Sequence, residues 1–350
     1  MTAVASTPPA SAGPARGSGP WHLLDLRTLP AAEWHGLLEH AALLAGPEGR
    51  RPLLAGRRLG MLFFNPSLRT RTAFEVACFD LGAHAVSLQV GGNVWGLEHR
   101  DGVVMDGDKA EHVKEGIGVL SRMLDGLGVR CFAGLQDAAE DSRDELLAAI
   151  ARVATVPVLN LESAMDHPHQ GLADALALRR RLPGRKARVV VRWAPHVKPL
   201  PLAVPHAALL AFAREGHDVV LAHPEGYGLD EAVMTAALGW SQASGGSLSV
   251  SHDPAGSLAG AQAVYVKSWG ARGDYGDSAA AAAGFVRHRG WFVTRRDLGG
   301  AWFMHCLPVR RGVVVADDVL DSDRSLVMIQ AEARLHVQKA TLCRALGVTA

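Results

Sequence analysis

The 350-residue chain is short of the features that define several large protein classes. Cysteine is scarce: Cys78, Cys131, Cys306 and Cys343 stand alone, with no Cys-x-x-Cys pair. That spacing argues against a disulfide framework or a zinc site and fits a reducing compartment. No apolar run reaches the length of a membrane-spanning helix. Charge of one sign is also missing, since 36 Lys and Arg against 35 Asp and Glu leave a net charge of +1. Such a balance offers no basic field for nucleic acid, so any anion must be held by local sites. No internal repeat appears. Residues 1–19 are mostly Ala, Pro, Ser, Gly and Thr and lack the apolar centre of a secretory signal. They are expected to form a disordered tail on a cytoplasmic enzyme.

What is present is a globular composition, 48% hydrophobic, in a chain long enough for two domains. Short β-branched runs alternate with helical segments. Strands are expected at Arg58–Phe64, Ala85–Val90, Gly128–Phe132 and Val156–Leu159. Helices are expected at Ser67–Leu81, Ala110–Leu124 and Asp141–Val153. A second series has strands at Arg188–Trp193, Asp218–Ala222, Ser247–Ser251, Ala263–Val266 and Trp302–His305, with a helix at Ala203–Arg214. Alternation of this kind predicts α/β architecture: two doubly wound parallel-sheet domains, 20–165 and 166–330. A terminal helix within 331–350 is expected to cross back to the first. Ligands of such sheets bind beyond the carboxyl ends of the strands.

Four clusters fall at those ends. Ser67-Leu68-Arg69-Thr70-Arg71 opens a helix, where unpaired N–H groups, hydroxyls and guanidinium groups suit a phosphate. Arg130 closes a strand. His167-Pro168-His169-Gln170 and His305-Cys306-Leu307-Pro308, followed by Arg310 and Arg311, occupy two later loops. Each has a bland alternative: a helix cap with solvated arginines, a surface charge, a satisfied loop histidine, a buried small thiol. Together they form a set able to hold a phosphate and polarise an attached carbonyl.

In this order and spacing the motifs resemble the carbamoyltransferases, over about residues 55 to 345. The resemblance implies that Ser67, Leu68, Arg69, Thr70, Arg130, His167, Gln170 and Arg334 bind carbamoyl phosphate, with Cys306 and Leu307 near the carbamoyl group. It implies catalytic parts for Arg69, Thr70, Arg130, His167 and Cys306, and no metal or cofactor. Ornithine enzymes of the family carry Asp-x-Trp-x-Ser-Met-Gly for the α-amino group. Here the region reads Val264-Tyr265-Val266-Lys267-Ser268-Trp269-Gly270. A lysine suits a carboxylate, and the missing aspartate suits an amine that has been acylated. The segment is similar to that of the N-acetylornithine and N-succinylornithine carbamoyltransferases. The resemblance then assigns Ala110, Glu162, His196, Lys267, Leu307 and Arg310 to the acylornithine. It also implies a homotrimer in which Trp95 reaches a neighbour's site, and a knotted second domain.

Acetyl enzymes have a glutamate where this chain has Ala110, and a modified lysine where it has Val314. Ala110 leaves room for a succinyl carboxylate that a glutamate would repel. Arg334–Lys339 is closer to the acetyl form. The expected reaction is carbamoyl transfer to N-succinylornithine, with N-acetylornithine as the alternative. Two further readings remain: a ligand-binding paralogue without turnover, and a hydrolase using Cys306 and His305.

Overall fold

The computed structural model describes residues 19–348, so the tail expected at 1–19 lies outside it save for Gly19. The first part of the chain has strands β1 (Arg58–Phe63), β2 (His84–Gln89), β3 (Leu97–Glu98), β4 (Glu111–His112), β5 (Gly126–Arg130) and β6 (Val158–Glu162). Its helices are α1 (Ala31–Leu43), α2 (Arg69–Asp80), α3 (Val113–Met123), α4 (Ala138–Arg143) and α5 (Glu145–Val153). The second part has β7 (Arg188–Trp193), β8 (Asp218–Ala222), β9 (Ser247–Ser251), β10 (Ala263–Lys267) and β11 (Trp302–Met304). Helix α6 (Pro168–Arg181) leads into it, and α7 (Ala203–Arg214), α8 (Glu231–Ala243), α9 (Ser278–Arg287), α10 (Arg295–Leu298) and α11 (Asp317–Leu320) follow. The terminal helix α12 spans Val327–Ala345.

All neighbouring strands run parallel. The first sheet has the order β2-β1-β5-β6 and the second β11-β10-β7-β8-β9. In each, the chain winds outward one way, then returns to the other side of its starting strand. The reversals lie between β1 and β5, and between β7 and β10. Helices cover both faces, which is why β7 can read Arg-Val-Val-Val-Arg-Trp with five of its six residues buried.

Local chemistry sets the elements. Helix α2 ends in a left-handed Gly82, φ +76°, with the Ala83 N–H on the Cys78 carbonyl and the Gly82 N–H on that of Phe79. This is the paired bonding of a Schellman cap, which an L side chain at position 82 would strain. Phe74 and Cys78, buried one turn apart, pin α2 to the sheet. Gly128 lets β5 approach β6, because a Cβ there would meet Leu161 Cδ1 at 2.7 Å. Each large apolar side chain buried this way contributes about 1.5–3 kcal/mol. Helix α7 is buried all round, sandwiched between α6 and α8.

Several expected bounds shift. The helix expected over Asp141–Val153 is two, broken at Asp144, whose φ of +49° ends α4. Helix α3 starts at Val113, because His112 caps it, so Ala110 precedes the helix in an exposed arm. Helix α1 was not expected, although Trp34, Leu37, Leu38 and Ala41 form a buried stripe at helical spacing. The terminal helix starts before Ala331 and packs on α1, α2 and α6. Two buried bonds tie α12 down: Lys339 Nζ to Asp80 at 2.6 Å, and His169 Nε2 with Thr341 Oγ1 at 3.0 Å.

Candidate active site

The two reversal points face each other across a cavity of about 810 Å³. Its walls come from both. Pro66 to Thr70 follow β1, Arg130 ends β5 and Phe132 follows it. Glu162 ends β6, and His167 and Gln170 come after it. His196, Lys198, Leu200 and Pro201 follow β7, Lys267 ends β10, and Cys306 to Pro308 and Arg310 follow β11. Arg334 enters from α12.

The inner end is built around the start of α2. Ser67 Oγ accepts the Thr70 N–H at 3.1 Å, a cap that leaves the hydroxyl and neighbouring N–H groups at the cavity wall. Thr70 Oγ1 accepts from Arg334 Nη2, and Arg334 Nη1 donates to Gln170 Oε1 at 3.0 Å. Burial pushes the Arg334 guanidinium down to about 10, which keeps it charged at neutral pH. Burial also lowers Arg69, with Arg130 adding to the effect. Arg130 Nη1 donates to Glu162 Oε2 at 2.6 Å. That pairing follows from a register shift between Val129 and Arg130, which brings Arg130 opposite Glu162. Glu162 has φ +150° and Leu307 φ +56°, both unfavourable for side chains, so strain is concentrated at the cleft.

His167 is buried beside these cations. Its Nδ1 has no hydrogen-bond partner, and its Nε2 lies 3.6 Å from Glu162 Oε2. Burial, with Arg334 and Arg130 adding, holds it well below the usual histidine range. A neutral imidazole with a free nitrogen can donate to a developing oxyanion without itself changing charge.

The outer end differs. Lys198, Lys267 and Arg310 face the cavity and form no ion pair among the described residues. Arg310 Nε donates to His196 Nε2 at 3.2 Å, so the other ring nitrogen carries the proton and donates to the Lys198 carbonyl at 2.9 Å. Burial lowers His196 as well, so it adds no charge.

Some expected residues lie elsewhere. Arg71 donates to Gln89 Oε1 at 2.8 Å and stacks on Phe63, away from the cavity. It therefore does not join the phosphate cluster its position suggested. His169 is a structural tie, bonded to the Asn160 carbonyl and Thr341. Arg311 is exposed and paired with Asp317 and Asp321. Trp95 and Ala110 share one exposed arm that does not line this chain's own cavity, and Trp95 Nε1 donates to Glu111 Oε2 at 2.8 Å. The hydrolase pair fails on geometry and charge. His305 Nδ1 accepts the Leu307 N–H at 2.9 Å, and burial pushes the Cys306 thiol up rather than towards a thiolate. Phe132, Lys198, Leu200, Pro201 and Val204 also line the cavity, although none was assigned to the site from the sequence. The run Lys198-Pro199-Leu200-Pro201 after a strand was the available signal.

The cleft can therefore hold a small dianion inside and a carboxylate-bearing chain outside. Residues 21–180 match the family described as aspartate/ornithine carbamoyltransferase, carbamoyl-P binding domain, and 203–345 match its Asp/Orn binding domain. The chain belongs to the aspartate/ornithine carbamoyltransferase family. An N-acetylornithine carbamoyltransferase of Xanthomonas campestris is 41% identical over 339 residues, 93% of this chain and 98% of the relative. An N-succinylornithine carbamoyltransferase of Bacteroides thetaiotaomicron is 36% identical over 283 residues, 79% and 84% of the two chains. Within the family this carbamoyltransferase stands with the N-acylornithine enzymes. The solved structure of an acetylornithine transcarbamylase complexed with acetylcitrulline superposes with TM-score 0.90 at 41% identity, over 93% of this chain and 98% of the other. No helix of the described residues is long and apolar enough to cross a membrane, and no three or more His, Cys, Asp or Glu side chains among them are grouped to hold a metal ion.

Proposed function

We propose that this cleft transfers the carbamoyl group of carbamoyl phosphate to the δ-amine of an N-acylornithine, giving N-acylcitrulline and phosphate. One observation carries the reading. A buried, hydrogen-bonded anion site lies at one sheet reversal, and cations free of ion pairing lie at the other, across one cavity. The Ser67–Thr70 segment, Arg69 and Arg334, the last oriented by Gln170, bind the phosphate. Arg130, His167 and Thr70 polarise the carbamoyl oxygen. The neutral δ-amine, oriented by Cys306 and the Leu307 carbonyl, attacks the carbamoyl carbon. The carbon–oxygen bond to phosphate then breaks, and the departing phosphate takes the amine proton. Positioning the two substrates face to face supplies much of the acceleration. Arg130 pairs with Glu162 at 2.6 Å, and in this reading Arg130 also reaches the carbamoyl oxygen while Glu162 meets the acylornithine.

The acyl group we assign is succinyl. Lys198, Lys267 and Arg310 without acidic partners suit a substrate with two carboxylates, with His196 positioning Arg310. Ala110, on its exposed arm, brings no carboxylate to oppose one. Four structures similar to this chain are of an N-acetyl-L-ornithine transcarbamylase with one glutamate replaced by proline, alanine, serine or valine. Each is described as complexed with carbamyl phosphate and N-succinyl-L-norvaline. The acetyl reading is favoured by identity, 41% to the Xanthomonas acetyl enzyme against 36% to the Bacteroides succinyl enzyme. Because Trp95 and Ala110 stand outside their own cavity, we further propose that they act on a neighbouring copy in a homotrimer. The reaction belongs to cytoplasmic arginine biosynthesis in this reading.

The deciding experiment incubates purified protein with carbamoyl phosphate and ornithine, N-acetylornithine or N-succinylornithine, and measures the ureido product by colour. Fastest turnover of the succinyl compound is expected. Faster turnover of the acetyl compound reverses the acyl assignment. No product with any amine, alongside phosphate-site binding, means a paralogue without turnover.

A further inference from the structure

Asp174 lies on α6 one turn beyond Gln170, fully buried and outside the cavity wall. Its Oδ1 accepts from two side-chain amides: Gln170 Nε2 at 2.7 Å and Gln330 Nε2 at 2.7 Å. Each glutamine amide has one donor end and one acceptor end. With both donor ends held by Asp174, both acceptor ends are aimed. That of Gln170 takes Arg334 Nη1 at 3.0 Å, and Arg334 reaches on to Thr70. That of Gln330 takes the His305 backbone N–H at 3.0 Å, directly before Cys306. Flipping either amide would set donor against donor in a buried site. Asp174 Oδ2 has no partner, and the Tyr265 hydroxyl lies beside Asp174 and Cys306 without a hydrogen bond of good geometry.

We propose that Asp174, together with Gln330, is a positioning pair for the transfer. One carboxylate oxygen orients two glutamine amides and so sets Arg334 and Thr70 on one side of the cleft and the Cys306–Leu307 loop on the other. The proposal rests on the carbamoyl-transfer reading. It makes the two branches separable: Gln170 and Arg334 govern carbamoyl phosphate, while Gln330 and His305 govern the loop that meets the amine. Only Oδ1 is engaged, so the anchor needs an acceptor oxygen rather than a negative charge. Burial pushes the Asp174 carboxyl up to about 7, and a proton on the bare Oδ2 would leave the anchor intact.

The test is steady-state kinetics of the full chain with carbamoyl phosphate and the acylornithine that the wild type uses best, alongside thermal melting. Asp174→Leu should raise KM for carbamoyl phosphate by about 10–100-fold and leave KM for the acylornithine within about twofold, the cost of releasing buried hydrogen-bonding groups. Asp174→Asn keeps the acceptor and should stay within about threefold of wild type in both. Gln330→Met should lower kcat by about tenfold without moving KM for carbamoyl phosphate. A folded Asp174→Leu with wild-type KM for carbamoyl phosphate, or with both KM values raised alike, overturns the proposal. So does an Asn variant as damaged as Leu. If Asp174→Leu does not fold, Gln330→Met decides, and an unchanged kcat overturns it. A wild type that transfers no carbamoyl group refutes the reaction itself, whatever the variants do.

Discussion

Thr70, Gln170, Arg334 and His167 are each no more than 4% exposed, and the first three are bonded in series. Lys198 and Arg310, across the same cavity, are exposed, and neither is paired with an acid. The inner wall is preorganised: its groups are dry, aimed and held before substrate arrives, which is where fixed dipoles act most strongly on developing charge. Apart from buried Lys267, the outer wall carries long solvated side chains that lose rotamer freedom when they bind, and salt screens them. A small dianion is one shape and rewards a rigid site. An acyl group differs between related substrates and rewards an adaptable one.

Substitutions at the inner wall should have the largest effects. His167→Ala removes an aimed donor, and kcat should fall by about 10²–10³ with little change in melting temperature. Near-normal turnover would take His167 out of the carbonyl-polarising group. At the outer wall, Lys267→Ala should raise KM for the acylornithine by about tenfold and leave that for carbamoyl phosphate alone. Equal rises in both would mean the walls are not independent. Ala110→Glu should lower the succinyl-to-acetyl ratio of kcat/KM by several-fold, a modest effect because the arm is solvated. An unchanged ratio would free Ala110 from any part in the choice.

The smallest expected effect tests the scaffold behind the inner wall. Burial holds His169 at about 4, below the about 6.5 of an unfolded histidine. The unfolded chain therefore binds more protons between those values, so this group's contribution to stability falls as pH drops from about 6.5 to 4. Buried Asp174 and Asp144, raised to about 7 and about 6, work in the opposite direction over much of that window. The clean measurement is thus a difference. His169→Gln should be less stable than wild type at pH 7.5, and the deficit should narrow by on the order of 1 kcal/mol by pH 5 in denaturant titrations. A constant deficit would mean His169 titrates alike in the folded and unfolded chain, and a widening one that it is charged in the fold.

Much of the frame was legible in the chain. The bounds expected for β7, β8, β9 and α7 are those observed, and in β7 and β8 Val-rich runs between charged and turn residues leave little choice. Of the residues assigned to the site, those of the Ser67–Thr70, His167–Gln170 and Cys306–Leu307 motifs come to one cavity, as do Arg130, Glu162, Lys267 and Arg334. Asp174 was passed over although it stands four residues after Gln170, because a lone acid inside a helical run carries no chemistry until its partners are known. Arg71, grouped with the phosphate cluster, turns away from it for the converse reason, and His169 takes the satisfied structural role left open for it. Motif spacing names residues but not the direction their side chains take, and Gln89 and Thr341, far along the chain, decide those directions.

By itself the amino-acid sequence determined the alternation of strand and helix, and with it two parallel sheets. Patterns of period two and 3.6 are local and survive without knowledge of the partner element. It also determined the cluster of hydroxyls, N–H groups and Arg69 on which the proposed phosphate site rests, since that helix start after β1 lies within one short segment. Only the tertiary structure decided that the two sheet reversals face each other. Only there does Asp174 join residues 170 and 330 through one oxygen, and the arm bearing Trp95 and Ala110 turn away from its own cavity. Those relations link distant segments through packing, and no local pattern encodes packing between distant segments.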